Sequence, residues 1–106
     1  MFLESGNVIE GDAAVANKVD YTITGYRMVG GNPTEFATTG QLPSSKGTLY
    51  TVKSGEKLRD ISIMLVNGDT SDRAVSLYLK TDGTNSRYIV NSLSLAANGG
   101  TLIICP

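Results

Sequence analysis

The residues that could do chemistry in this chain are few, and the first fact about them is an absence: there is no histidine. That removes the commonest general base and the commonest transition-metal ligand together. Histidine-free catalysis uses paired carboxylates or a Ser-Lys couple, and no motif here groups such residues recognisably. Asp69, Asp72 and Asp82 fall in two adjacent turns and offer oxygen ligands of the kind Ca²⁺ takes. They lack the alternation and closing glutamate of an EF-hand loop, and aspartates that brace their own turns account for them. Cys105 follows three apolar residues with no histidine to activate it, so it reads as a packed free thiol. The glycine pairs at 30–31 and 99–100 lack the lysine and the strand-loop-helix setting of a phosphate cradle, and read as turns. Five tyrosines, at 21, 26, 50, 78 and 88, could form a sugar-stacking platform. Tyr21 and Tyr88 sit among apolar neighbours, which favours a core or interface role. The chain reads as a non-enzyme, with no cofactor and no metal site expected.

The elements that must carry these residues alternate with period two. Val75, Leu77 and Leu79 alternate with Ser76, Tyr78 and Lys80 before the Asp82-Gly83 turn, the firmest strand signal in the chain. Leu58 and Ile61 are out of phase with each other, Ile61 sharing the parity of Ile63 and Leu65, so a bulge near Arg59 or Asp60 is expected. Tyr88 and Val90 share one parity and Leu93 and Leu95 the other, so Asn91-Ser92 is expected to mark a bend between two short strands. Leu102 and Ile104 form a last inward pair. In the N-terminal half, Val19, Tyr21 and Ile23 alternate, and a strand continues past a kink at Gly25 to Met28, stopping at residues 30–33. Val8 to Glu10 and Phe36 to Thr39 read as short edge strands, and Leu49 to Val52 as a clearer one. Residues 11–17 are too few to nucleate a helix and read as strand or loop. Seven or eight short antiparallel strands, joined by Gly, Asn and Asp turns, predict an all-β sandwich or jelly roll in one domain spanning residues 1–106.

Composition narrows the partners. Nine basic and ten acidic residues are scattered singly, for a net charge of −1. A phosphate-dominated nucleic-acid surface is therefore not expected. Apolar runs are far shorter than the roughly 20 residues a helical span needs, and the N-terminus lacks a signal-peptide layout, which predicts a protein made in the cytoplasm and no membrane contact. The single cysteine allows no internal disulfide. A domain of this size buries roughly two-thirds of its unfolded surface, so oligomerisation would add stability.

Three stretches carry a resemblance. TLYTVKSGE (Thr48 to Glu56), ISIMLVNGD (Ile61 to Asp69) and RAVSLYL (Arg73 to Leu79), followed by SLSLAANGGTL (Ser92 to Leu102), resemble a small β-sandwich module common in virion proteins of tailed bacteriophages. The likeness covers about Gln41 to Pro106. The module's usual closing segment has its counterpart at the other end of this chain, in MFLESGNVIEGDAAVANKVDYTITG (Met1 to Gly25), so the strand order looks circularly permuted. The resemblance implies a non-catalytic virion protein, most simply a capsid decoration or cement protein bound to the shell as a homotrimer, with other copies of itself and the major capsid protein as partners. Alternatives are a tail, neck or baseplate component contacting a host receptor or glycan, and an isolated carbohydrate-binding module. The permutation leads us to expect residues 2–9 beside residues 102–105 within one subunit. Residues 1–17 are the candidate interacting arm, with a strand exchanged between copies as the alternative. The candidate partner contacts are Met1, Phe2, Leu3 and Val8 in that arm, and Tyr26, Arg27 and Met28 as an exposed apolar-basic cluster.

Overall fold

A computed structural model describes residues 1–105. Eight antiparallel strands follow one another: β1 (Val8–Ala13), β2 (Val19–Val29), β3 (Asn32–Gln41), β4 (Gly47–Thr51), β5 (Glu56–Asn67), β6 (Arg73–Lys80), β7 (Ser86–Leu95) and β8 (Thr101–Ile104). They form two four-stranded sheets, ordered β4-β1-β6-β7 and β3-β2-β5-β8. The two inward faces interlock as a sandwich. Ile9, Val75 and Leu77 from the first sheet meet Val19, Ile23, Leu58, Ile61, Ile63 and Leu65 from the second, all essentially without solvent exposure. Gly11 lies between these layers because a Cβ there would stand 3.1 Å from the methyls of Leu42, Leu49 and Leu77.

Only β2–β3 and β6–β7 are hairpins within one sheet; every other connection crosses the sandwich. Neighbouring strands are one or three positions apart when β8 is counted as adjacent to β1. A separation of three is the Greek-key relation, in which a fourth strand returns to lie beside the first.

The expected bulge is present. Thr24 faces Ser62 and Tyr26 faces Arg59, so Gly25 opposes two residues, Asp60 and Ile61. Asp60 takes φ 53°. The extra residue restores inward phase to both Leu58 and Ile61. A side chain at position 25 would come within 2.8 Å of the Arg59 carbonyl oxygen, which explains the glycine. The second irregularity falls at Ser92, φ 50°, where the Ser92 N–H donates to Ser76 Oγ at 2.9 Å. It re-phases β7 without breaking it, so residues 86–95 form one strand rather than two.

Several strands differ from expectation. β2, β3, β5 and β7 are 10 to 12 residues long rather than short: bulges let the β2–β5 and β6–β7 ladders change phase while staying paired, and β3 follows β2 in unbroken register. Asn32 and Pro33 do not end β2 but open β3, with Pro33 paired to Met28 on an edge strand where no ladder hydrogen bond is lost. The segment from Val8 is not an edge: β1 lies between β4 and β6.

The two ends of the chain meet on β5. β8 pairs with it from Val66 to Ile63, and on the same edge Leu3 bridges to Leu58 while the Ile61 N–H donates to the Met1 carbonyl at 3.1 Å. Residues 101–104 and 1–3 thus lie end to end along one strand, not side by side. Val8 and Ile9 have already crossed to the opposite sheet.

Candidate functional site

Opposed residues in a β-ladder point to the same side, so register sorts the side chains by face. On the outer face of the β3-β2-β5-β8 sheet, Tyr26 lies between Glu35 and Arg59, Met28 between Pro33 and Lys57, and Met64 between Thr22 and Ile103. Phe2 joins this face because its neighbour Leu3 turns inward. Phe2 (57% exposed), Ile103 (59%) and Tyr26 (44%) are the most open apolar side chains here. Phe2, Met28, Lys57 and Arg59 also line a depression of about 310 Å³ beside the turns at Gly30-Gly31 and Gly55. The face carries apolar side chains at both ends, with Thr24 and Ser62 between them, Lys57 and Arg59 along one side and Glu35 along the other.

Three of the seven expected contacts, Phe2, Tyr26 and Met28, are gathered here. Leu3 does not belong with them: at 1% exposure it is core, tied to Leu58 by reciprocal backbone hydrogen bonds of 2.7 and 2.8 Å. Met1 packs against the core, and Val8, opposite Lys80, lies on the outer face of the other sheet. Arg27 is also corrected. It pairs with Leu58 and so faces inward, where its Nε forms an ion pair with Glu56 and its guanidinium stands 5.1 Å from the Phe36 ring centre. Lys57 and Arg59 supply the basic character expected of Arg27. Together with Met64 and Ile103 they were legible as the outward parity of β5 and β8, once the bulge set the phase.

Arg27 belongs to a network that closes one end of the sandwich. Tyr50 donates to Glu56 Oε1 at 2.7 Å, the Lys53 N–H donates to the same oxygen at 3.1 Å, and the Tyr50 ring meets Phe36 edge-on at 4.9 Å. Burial pushes the Glu56 carboxyl up, but the bonds from Tyr50, Lys53 and Arg27 outweigh it and hold the group below its usual 4.5. A depressed carboxyl stabilises the fold above its unfolded pKa and stops doing so as pH falls through the folded value. The melting temperature is therefore expected to be level near neutrality and to fall below about pH 4. In Glu56→Gln the acid limb should be shallower and the neutral-pH stability lower by about 2 kcal/mol, less than for a fully buried pair because Arg27 keeps a third of its side chain in water. Thermal melts across pH check this; an unchanged acid limb in the variant would refute it.

The outer face of the β4-β1-β6-β7 sheet is different in kind. Glu10 faces Tyr78 and Tyr78 faces Tyr88 across consecutive strands. The two rings stack at 4.9 Å and 37°. Tyr78 donates to Asp12 Oδ2 at 2.6 Å, Ser86 donates to Glu10 Oε1 at 2.5 Å, and Lys80 Nζ lies 3.8 Å from Glu10 Oε2. Lys46 Nζ stands 5.3 Å from the Tyr78 ring centre. Tyr88 is thus not core: it is 60% exposed. The five tyrosines form no single row, since Tyr21 and Tyr50 lie toward the interior and Tyr26 on the opposite face.

Asp69 and Asp82 brace their own turns, whereas Asp72 ties its turn to the one before β8. Asp82 accepts from the Thr84 and Asn85 N–H groups, which hold its carboxyl down to about 2. Asp69 binds Arg73 and the Thr70 N–H, and Asp72 accepts from the Ala97 N–H. Among the described residues no three metal-ligating side chains are grouped. Cys105 is exposed rather than packed, because it follows inward Ile104 on a strand at the sheet edge. Among the described residues no helix is long and apolar enough to cross a membrane. No family model matches the chain, and neither a curated protein nor a solved structure matches it.

Proposed function

We propose that this chain is a non-catalytic virion protein of a tailed bacteriophage, a capsid decoration or cement protein that binds the shell as a homotrimer. The observation that carries the reading is the outer face of the β3-β2-β5-β8 sheet. Phe2, Tyr26, Met28, Met64 and Ile103 set apolar side chains at both of its ends, with Lys57 and Arg59 along one side, a composition suited to contact with a partner. The sheet ends in the short β8, whose outer edge offers unpaired backbone groups to a neighbouring strand.

Jelly rolls are eight-stranded sandwiches made of two Greek keys, and the neighbour separations of one and three strands are compatible with such a fold.

Binding to the assembled shell and not to its dissociated subunits would stabilise the particle by mass action. The test is co-sedimentation of purified protein with expanded capsids, followed by heating, alongside sedimentation equilibrium of the free protein. A trimer that saturates the capsid and raises its disruption temperature supports the reading. Absence of binding, or binding without heat protection, rejects the cement role.

A further inference from the structure

We propose that the outer face of the β4-β1-β6-β7 sheet binds an uncharged saccharide, with one sugar ring stacked on Tyr88 and its hydroxyls held by Asp12. The site lies on the side of the sandwich opposite the apolar surface assigned to assembly, and the proposal does not depend on that assignment.

A pyranose presents a patch of C–H groups on one face and hydroxyls around its rim. A receptor for it needs a flat, exposed aromatic ring and, beside the ring, strong acceptors in a fixed position. Tyr88 supplies the ring: it is 60% exposed on a strand whose opposite partner, Tyr78, supports it from one side at 4.9 Å. Tyr78 is itself immobilised. Its hydroxyl is bound to Asp12 Oδ2 at 2.6 Å, which raises its pKa to about 12, and Lys46 stands near its ring. A platform held this way loses little side-chain entropy when a ligand arrives. The acceptor is the same Asp12, whose second oxygen is left for a sugar hydroxyl in a charge-assisted hydrogen bond.

Charge selects the ligand class. The face carries two carboxylates, Asp12 and Glu10, and two ammonium groups, Lys46 and Lys80, with Lys80 already drawn toward Glu10 at 3.8 Å. The field is balanced, so a sialylated, sulfated or uronic saccharide gains no attraction over a neutral one. Asp12, Glu10 and Lys80 sit on strands, and Lys46 immediately precedes β4. An open, ring-lined face of this kind suits an extended chain of sugars rather than an enclosed monosaccharide.

The experiment uses the ¹⁵N-labelled full chain titrated with maltopentaose, cellopentaose and laminaripentaose at millimolar concentration. The expected result is saturable amide shifts at Asp12, Tyr78 and Tyr88 with at least one of the three. Because the chain has no tryptophan, tyrosine emission provides a second readout. Tyr88→Ala, at an exposed position, should fold normally and bind about tenfold more weakly, the equivalent of one lost stacking contact. Asp12→Asn should weaken binding while Tyr26→Ala, on the opposite face, leaves it unchanged. No shift at these residues with any of the three sugars overturns the proposal. So do shifts that survive Tyr88→Ala, and so does a Tyr88-dependent self-association without a sugar response.

Discussion

Replacing Asn67 with aspartate is expected to cost about 3 kcal/mol of stability at neutral pH, a fall of roughly 15 °C in melting temperature for a domain of this length. Asn67 is fully buried at the end of β5. Its Nδ2 donates to the carbonyls of Ser71, Leu95 and Ala96 at 3.0, 3.1 and 3.2 Å, and its Oδ1 accepts from the Asp69 N–H at 3.0 Å. Its backbone adds bonds to Gly99 and Gly100. One side chain therefore joins the β5–β6 loop to the end of β7 and the turn into β8. Aspartate has nearly the same shape but, once ionised, no donor, so it would set a buried negative charge against three carbonyl oxygens. Desolvation and those oxygens would raise its pKa, and the neutral acid regains one donor. Stability of Asn67→Asp should thus recover partly as pH falls through the raised value, opposite in sign to the acid loss expected around Glu56. Chemical denaturation at two pH values checks this. A variant as stable as the parent at neutrality would show that the three carbonyls are satisfied without Asn67.

Leu3→Ala and Phe2→Ala should separate stability from binding at adjacent positions. Leu3 is 1% exposed and packs in the core, so truncation removes its methyl groups and leaves a cavity, at a cost of about 3 kcal/mol. Phe2 points to the other side and is 57% exposed, so its loss should change stability by less than about 0.5 kcal/mol. Under the proposed capsid role binding should show the reverse: Phe2→Ala is expected to weaken association with the shell about tenfold, as loss of one well-placed apolar contact does. Paired melts and capsid titrations on the two variants provide the measurement. If Leu3→Ala is stable, residues 1–3 contribute nothing to β5 in solution, and an arm donated to another copy becomes the better description. If Phe2→Ala binds normally, the assembly surface lies elsewhere.

The all-β class, most strand positions and the bulge near Asp60 were legible in the amino-acid sequence because each is a local property. Apolar parity along one strand reports which face is buried, and the phase slip between Leu58 and Ile63 reports a bulge without reference to any partner. Phe2 was expected in the arm, and Tyr26 and Met28 in an exposed cluster with Arg27; these three side chains share one outward face. Arg27 and Leu3, expected as contacts, turn inward instead. Arg27 has a charged side chain on an inward parity, and only the proximity of Glu56 at the start of β5 and Tyr50 on β4 makes that position favourable. Leu3 lies outside any run of alternation, and its burial follows from the open edge of β5 that it covers.

What the sequence determined by itself was therefore the set of strands and their phases. Tertiary structure alone decided which strands are neighbours, that the two chain ends share one edge, and that Tyr78, Tyr88 and Asp12 form a platform. The physical reason is that cross-strand contacts join residues far apart in the chain, 66 positions for Asp12 and Tyr78 and 76 for Glu10 and Ser86. No spacing rule within a single strand records such a pairing; it arises only when the two sheets pack and fix the register of every ladder at once.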